Sequence, residues 1–267
     1  MRLPPAGPAA MTLESLDLAG IQLAARHAWR ISTAYPWRLI GCTVLILLAV
    51  DLPTQVPGIG FLIKIGLASL LFAQMLLLFR DADRGQSPNM MTLLHTLSMP
   101  MTSQLALVLS EWATFGIAVV FLWQAGGADA ALTFFAEPHA DATLDASLYF
   151  EFKVVLFVAS APLTFLAPAI VLAGVHGATV LRVALLAAVR NPLFVVLLLC
   201  LDIALEFVLS RLDEAGGIGL WIHLPLLVLS LVYELALLYA VSVRVFGLTP
   251  GKPDDGGGDR GSDRPRP

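Results

Sequence analysis

Five ionisable residues fall inside long apolar stretches of the chain: Lys64, Glu111, Asp202, Glu206 and Glu234. A charged group near the middle of a bilayer costs at least about 2.5–3.5 kcal/mol, so it normally faces a partner or water and is a candidate site residue by default. Carboxylates with one lysine at hand could relay protons or bind a cation. Asp202 and Glu206 are four residues apart, which on a helix puts both on one face. At about 1.5 Å per residue, Asp202 lies about 15 Å in from Pro192, and Lys64 falls at a depth between the two carboxyls. The spacing lays out a polar path, with Lys64, Glu206 and Asp202 toward one side and Glu234 and Glu111 toward the other. The default alternative is structural. There Lys64 pairs with a carboxylate of the fifth span, while Glu111 and Glu234 are protonated or hydrogen-bonded to neighbouring helices.

Other constellations point to weaker chemistry. Glu137-Pro-His139-Ala-Asp141, with Asp129 and Asp145 nearby, carries side chains suited to a divalent metal. No second His and no Cys accompany them, so no metal site is assigned. Arg26, Arg30, Arg80, Arg84, Arg182 and Arg190 border apolar stretches, where they could contact lipid headgroups. In Arg80-Asp-Ala-Asp-Arg84-Gly the two signs could pair locally. The sequence shows no phosphate-cradling glycine loop after a strand, no His-Glu-x-x-His, no Cys-x-x-Cys and no Gly-x-Ser-x-Gly. No catalytic residue, cofactor or enzyme activity is therefore expected.

The elements that must position these residues follow from composition. Of 267 residues, 58% are hydrophobic and 13% charged, against about 25% charged in soluble domains. That is too little charge to cover a water-facing globule, so an all-α polytopic membrane bundle is expected. The net charge of −4 excludes a basic nucleic-acid binder. Stretches near 36–54, 57–79, 104–124, 154–175, 192–210 and 219–243 are long and apolar enough to cross a bilayer as helices. The first is the shortest and crosses only with Trp37 and Arg38 at one interface and Asp51 near the other. Pro162 and Pro168 interrupt the fourth. Cys42 and Cys200 lie in apolar stretches and read as buried hydrophobes, not a disulfide. Met1–Ala10 lacks the apolar core of a secretory signal.

Lys and Arg placement sets orientation. The N-terminal segment, the 80–103 and 176–191 loops and the C-terminal end hold nearly all of them. Segments 51–57 and 125–147 hold none, and 211–218 holds only Arg211. Both termini are thus expected in the cytoplasm. The chain divides into residues 1–35 (tail and interfacial helix), 36–247 (six spans) and 248–267. The last is a tail of Gly, Asp, Arg and Pro, too polar to fold.

Two segments read as amphipathic helices lying on the membrane. In the first, Leu13, Leu16, Ile21, Ala25 and Ala28 oppose Gln22, Arg26 and Arg30; the second is Thr179–Val189. Each leads to a proline that starts a span, Arg26…Pro36 and Arg182…Pro192, at an offset of 156 residues that suggests a parallel duplication. Together with Phe79-Arg-Asp-Ala-Asp-Arg-Gly-Gln-Ser-Pro88, Phe165-Leu-Ala-Pro-Ala-Ile-Val171, His176-Gly and Ala188-Val-Arg-Asn-Pro192, this order of features resembles a family of uncharacterised bacterial six-span inner-membrane proteins over residues 15–247. The resemblance implies an architecture and no activity. The leading functional expectation is a non-enzymatic inner-membrane protein that scaffolds or assists a membrane complex, with the bilayer, other membrane proteins or further copies of itself as partners. The competing expectation is a small proton- or cation-linked transporter or channel built on the intramembrane carboxylates.

Overall fold

The structure, a computed structural model, describes residues 13–56, 59–92, 99–136, 145–214 and 217–248, and these form helices joined by turns. Six helical segments are long and apolar enough to cross a membrane: Pro36–Gln55, Ile59–Asp83, Met101–Ala131, Ser147–Val171, Pro192–Leu212 and Trp221–Val245. The helices are α1 (Leu18–Ala34), α2 (Pro36–Asp51), α3 (Ile59–Asp83), α4 (Met101–Ala136), α5 (Ala146–Ser160), α6 (Leu166–Val171), α7 (Thr179–Arg190), α8 (Pro192–Glu214) and α9 (Gly217–Val245). The first span is completed by a 3-10 turn, Leu52–Gln55, and the fourth is α5 and α6 joined by a second, Ala161–Leu163. Pro162 and Pro168 explain that joint, since a proline removes a ladder hydrogen bond and crowds the preceding turn. Gly127, at φ 83°, breaks the helical path of α4.

The chain repeats one plan. A lead-in helix turns a corner into a proline-started span, a hairpin returns the chain as a second span, and a left-handed glycine ends it. The corners at Tyr35 (φ −136°, ψ 59°) and Asn191 (φ −123°, ψ 50°) have nearly the same backbone, and Pro36 and Pro192 follow them. A residue before proline is kept out of the helical region, so both helices must stop there. In the two hairpins a Cβ on Gly60 would collide with the Pro53 carbonyl, and one on Gly219 with the Leu212 carbonyl, each seven residues earlier. Gly85 and Gly247 end α3 and α9 at φ 71° and 61°. In both, the next residue's N–H returns to a carbonyl five positions back, Gln86 to Asp81 and Leu248 to Val243, which satisfies the last turn. The middle of the chain keeps part of the plan, with Pro100 ahead of α4 and Gly174 (φ 65°) after α6.

The lead-in helices pack on spans of other units. α1 lies chiefly along α9, and α7 against α6 and the turn before it. The buried stripe of α1 is Ile21, Ala24, Ala28 and Ile31. It is rotated from the expected face through Ala25, and it packs against protein. The small residues Ala24 and Ala28 let α9 approach closely, which explains the rotation. The main apolar core gathers at the end of the bundle that carries Leu13 and Leu248. A second cluster, Phe115, Ala118, Leu122 and Phe152, lies toward the hairpins.

Candidate functional site: a charged cavity between two cores

The two apolar clusters do not merge. Between them is a cavity of about 580 Å³ with walls from both, reached by α2, α3, α4, α5, α6, α8 and α9. Lys64, Glu111, Asp202 and Glu234 all line it, so four of the five charges flagged in the sequence converge on one space. Ser110, Thr114, Ser160 and Thr164 add hydroxyls, and each bonds a carbonyl of its own helix three positions back.

Asp202 on α8 and Glu234 on α9 line the cavity from neighbouring helices, close enough to interact. Glu111 on α4 lines the same cavity and has no partner among the described residues.

The lysine pairing differs from expectation. Lys64 does not reach a carboxylate of the fifth span; its Nζ lies 2.9 Å from the Asp51 carboxylate at the end of α2. The pair is thirteen residues apart across the tight hairpin, so the turn itself delivers Asp51 to Lys64. The partner of Glu206 is Lys153, at 3.6 Å, which also sits 5.2 Å over the Tyr149 ring. Lys153 was missed as an intramembrane charge because the fourth span was started one residue after it. The helix begins at Ala146, capped by the Asp145 side chain, which puts Lys153 two turns inside. That cap, an Asp two residues before Ser147, was the available signal.

A second charged cluster lies at the terminal end of α3. The Asp83 side chain is only 2% exposed and receives His27 Nε2 at 2.7 Å, Arg30 Nη2 at 3.3 Å and the Tyr239 hydroxyl at 3.2 Å. One carboxylate thus ties α1 to α3 and α9. The Arg-Asp-Ala-Asp-Arg turn therefore reaches beyond itself, and the local pairing expected within it leaves out the main partners of Asp83. The spacing of His27 and Arg30, three apart on α1, was the missed clue.

The arginines flagged for lipid contact divide. Arg26 and Arg182 are exposed on α1 and α7. Arg30 pairs with Asp83, and Arg190 donates to the Leu13 carbonyl at 2.9 Å. Arg80 and Arg84 are only partly exposed, and the Arg80 Nε is buried without a hydrogen-bond partner. Beside Arg190, the buried Asn191 side chain donates to the Glu14 and Ala187 carbonyls and accepts from the Leu16 N–H. It pins the N-terminal segment to the α7–α8 corner. Cys42 is buried as expected, whereas Cys200 is exposed on α8, and both are free. Trp37, Trp123 and Trp221 are all exposed near span ends, where aromatic belts sit. Glu137, His139, Asp141 and the C-terminal tail lie outside the described residues. Among the described residues no three His, Cys, Asp or Glu side chains converge as a metal site.

No family model matches the chain, and no curated protein or solved structure matches it significantly. The resemblance to six-span bacterial proteins rests on its motifs alone.

Proposed function

We propose that the protein is a transport protein of the bacterial inner membrane, with both termini in the cytoplasm, that passes protons or a small cation through its central cavity. The observation that carries this reading is the set of three carboxyls, Glu111, Asp202 and Glu234, facing one cavity within the spans while both lysines on its wall are held by other carboxylates. A scaffold gains nothing from keeping such groups in a low-dielectric interior, where an uncompensated charge is costly. Orientation rests on the placement of Lys and Arg. Catalysis has no support in the residue set, so the reading remains non-enzymatic.

The test is proton movement in proteoliposomes, followed with an entrapped pH dye under imposed gradients of H⁺, Na⁺, K⁺ or a monovalent organic cation. Protein-dependent flux that Asp202→Asn abolishes is the expected result. Absence of flux under every gradient, with protein that elutes as a single folded species, overturns the reading and returns the scaffold function to first place.

A further inference from the structure

The transport reading leaves the cargo open, and the cavity itself narrows it. We infer that the cavity binds a monovalent organic cation with an apolar body, its charged head at Glu111 and the Asp202–Glu234 pair; this inference rests on the reading above. Three features of the wall carry it. First, the charges are unbalanced. Lys64 is matched by Asp51 and Lys153 by Glu206, so among the described residues no lysine or arginine on the cavity wall is left for Glu111, Asp202 and Glu234. A cationic guest would supply the missing charge in a medium where an ion pair is far stronger than in water.

Second, the space is too large for a dehydrated metal ion. About 580 Å³ falls in the range of sites for organic ligands, about 300–1,000 Å³. Metal ions instead require several ligands within about 2.0–2.6 Å, and none of the described residues form such a group. Third, the remainder of the wall suits an apolar body. Phe72, Phe115 and Phe157 line the cavity with Leu and Ala side chains, and aromatic faces attract cations as well as hydrocarbon. A hydrophilic cation such as a polyamine would leave that apolar wall unused.

The probe is benzyltrimethylammonium, a quaternary cation with an aromatic body, compared with phenylmethanesulfonate, an anion of similar shape. Binding to the purified, detergent-solubilised chain is measured by titration calorimetry. The cation is expected to bind the wild type and the anion to bind at least tenfold more weakly. Glu111→Gln should weaken the cation at least tenfold, and Glu111→Asp should recover part of the loss. Equal binding of cation and anion, no cation binding, or full affinity in a folded Glu111→Gln variant overturns the inference. The wild-type comparison decides the matter even if Glu111→Gln does not fold. If proteoliposomes move protons, Na⁺ or K⁺ while the organic cation does not bind, this inference fails and the transport reading stands. If the cation binds but no gradient gives flux, the transport reading fails and the site stands.

Discussion

Replacing Asp83 by alanine removes the acceptor of three donors, and the structure divides the loss among them. The His27 side chain is 10% exposed and the Asp83 carboxylate 2%, at 2.7 Å. A hydrogen bond to a charged group contributes about 1.5–3 kcal/mol, and removing one partner of a buried pair costs about 3–5 kcal/mol because the other is stranded. Arg30 is 73% exposed and 3.3 Å away, so solvent screening limits it to about 0.5 kcal/mol or less. The Tyr239 hydroxyl, bonded at 3.2 Å, contributes about 1 kcal/mol. Asp83→Ala should therefore destabilise by about 3–4 kcal/mol, Tyr239→Phe by about 1 kcal/mol, and Arg30→Ala by less than about 0.5 kcal/mol. Reversible SDS denaturation in mixed micelles reads these differences, and hydrogen exchange localises them. In Asp83→Ala the amides of α1 should lose protection first, because the carboxylate is what ties that helix to α3 and α9. If Arg30→Ala costs as much as Asp83→Ala, or α1 keeps its protection in the alanine variant, the buried-carboxylate argument is wrong.

Lys153→Met should cost about 3–5 kcal/mol by stranding the half-buried Glu206, whereas Lys64→Met should stay within about 1 kcal/mol because Asp51 is 64% exposed. The same denaturation assay compares them, and a larger loss at Lys64 would contradict the pairing. Asp202→Asn keeps the size and hydrogen-bonding capacity of the side chain, so its stability should lie within about 1 kcal/mol of wild type while flux is lost. Asn191→Ala removes both a donor and an acceptor from the N-terminal segment and should cost about 2–3 kcal/mol. Limited proteolysis near residues 13–17 should accelerate with it. Ala28→Leu should overpack the seam between α1 and α9, which is fully closed at Ala28, at a cost of about 1–3 kcal/mol.

The spans and the charged residues within them were readable because hydropathy and period are local properties of the chain. The pairings were not. Lys64 and Glu206 lie at compatible depths, but depth says nothing of azimuth, and the hairpin at Leu52–Gln55 brings Asp51 closer. Lys153 escaped because a start set by hydropathy alone excludes a lysine near the end of a span, whereas the Asp145 cap extends the helix past it. The lead-in helix was legible as amphipathic, yet its buried face depends on α9, more than two hundred residues away. The repeated corner at Tyr35 and Asn191 turned a two-anchor sequence pattern into a shared backbone geometry. Asp83 shows the same limit, since its three donors come from residues 27, 30 and 239.

The seating of α1 on α9 also sets an order of manufacture. α1 is synthesised well before α9, which covers it, and the backbone N–H of Glu14 closes on the Val245 carbonyl at 2.9 Å. At about 5–20 residues per second, roughly ten to forty seconds pass between the synthesis of α1 and that of its cover. Throughout that interval the Ile21–Ile31 stripe lacks the helix it chiefly packs on and has only its smaller contacts with α2 and α3. A chain that stops short of α9 therefore leaves most of that stripe uncovered.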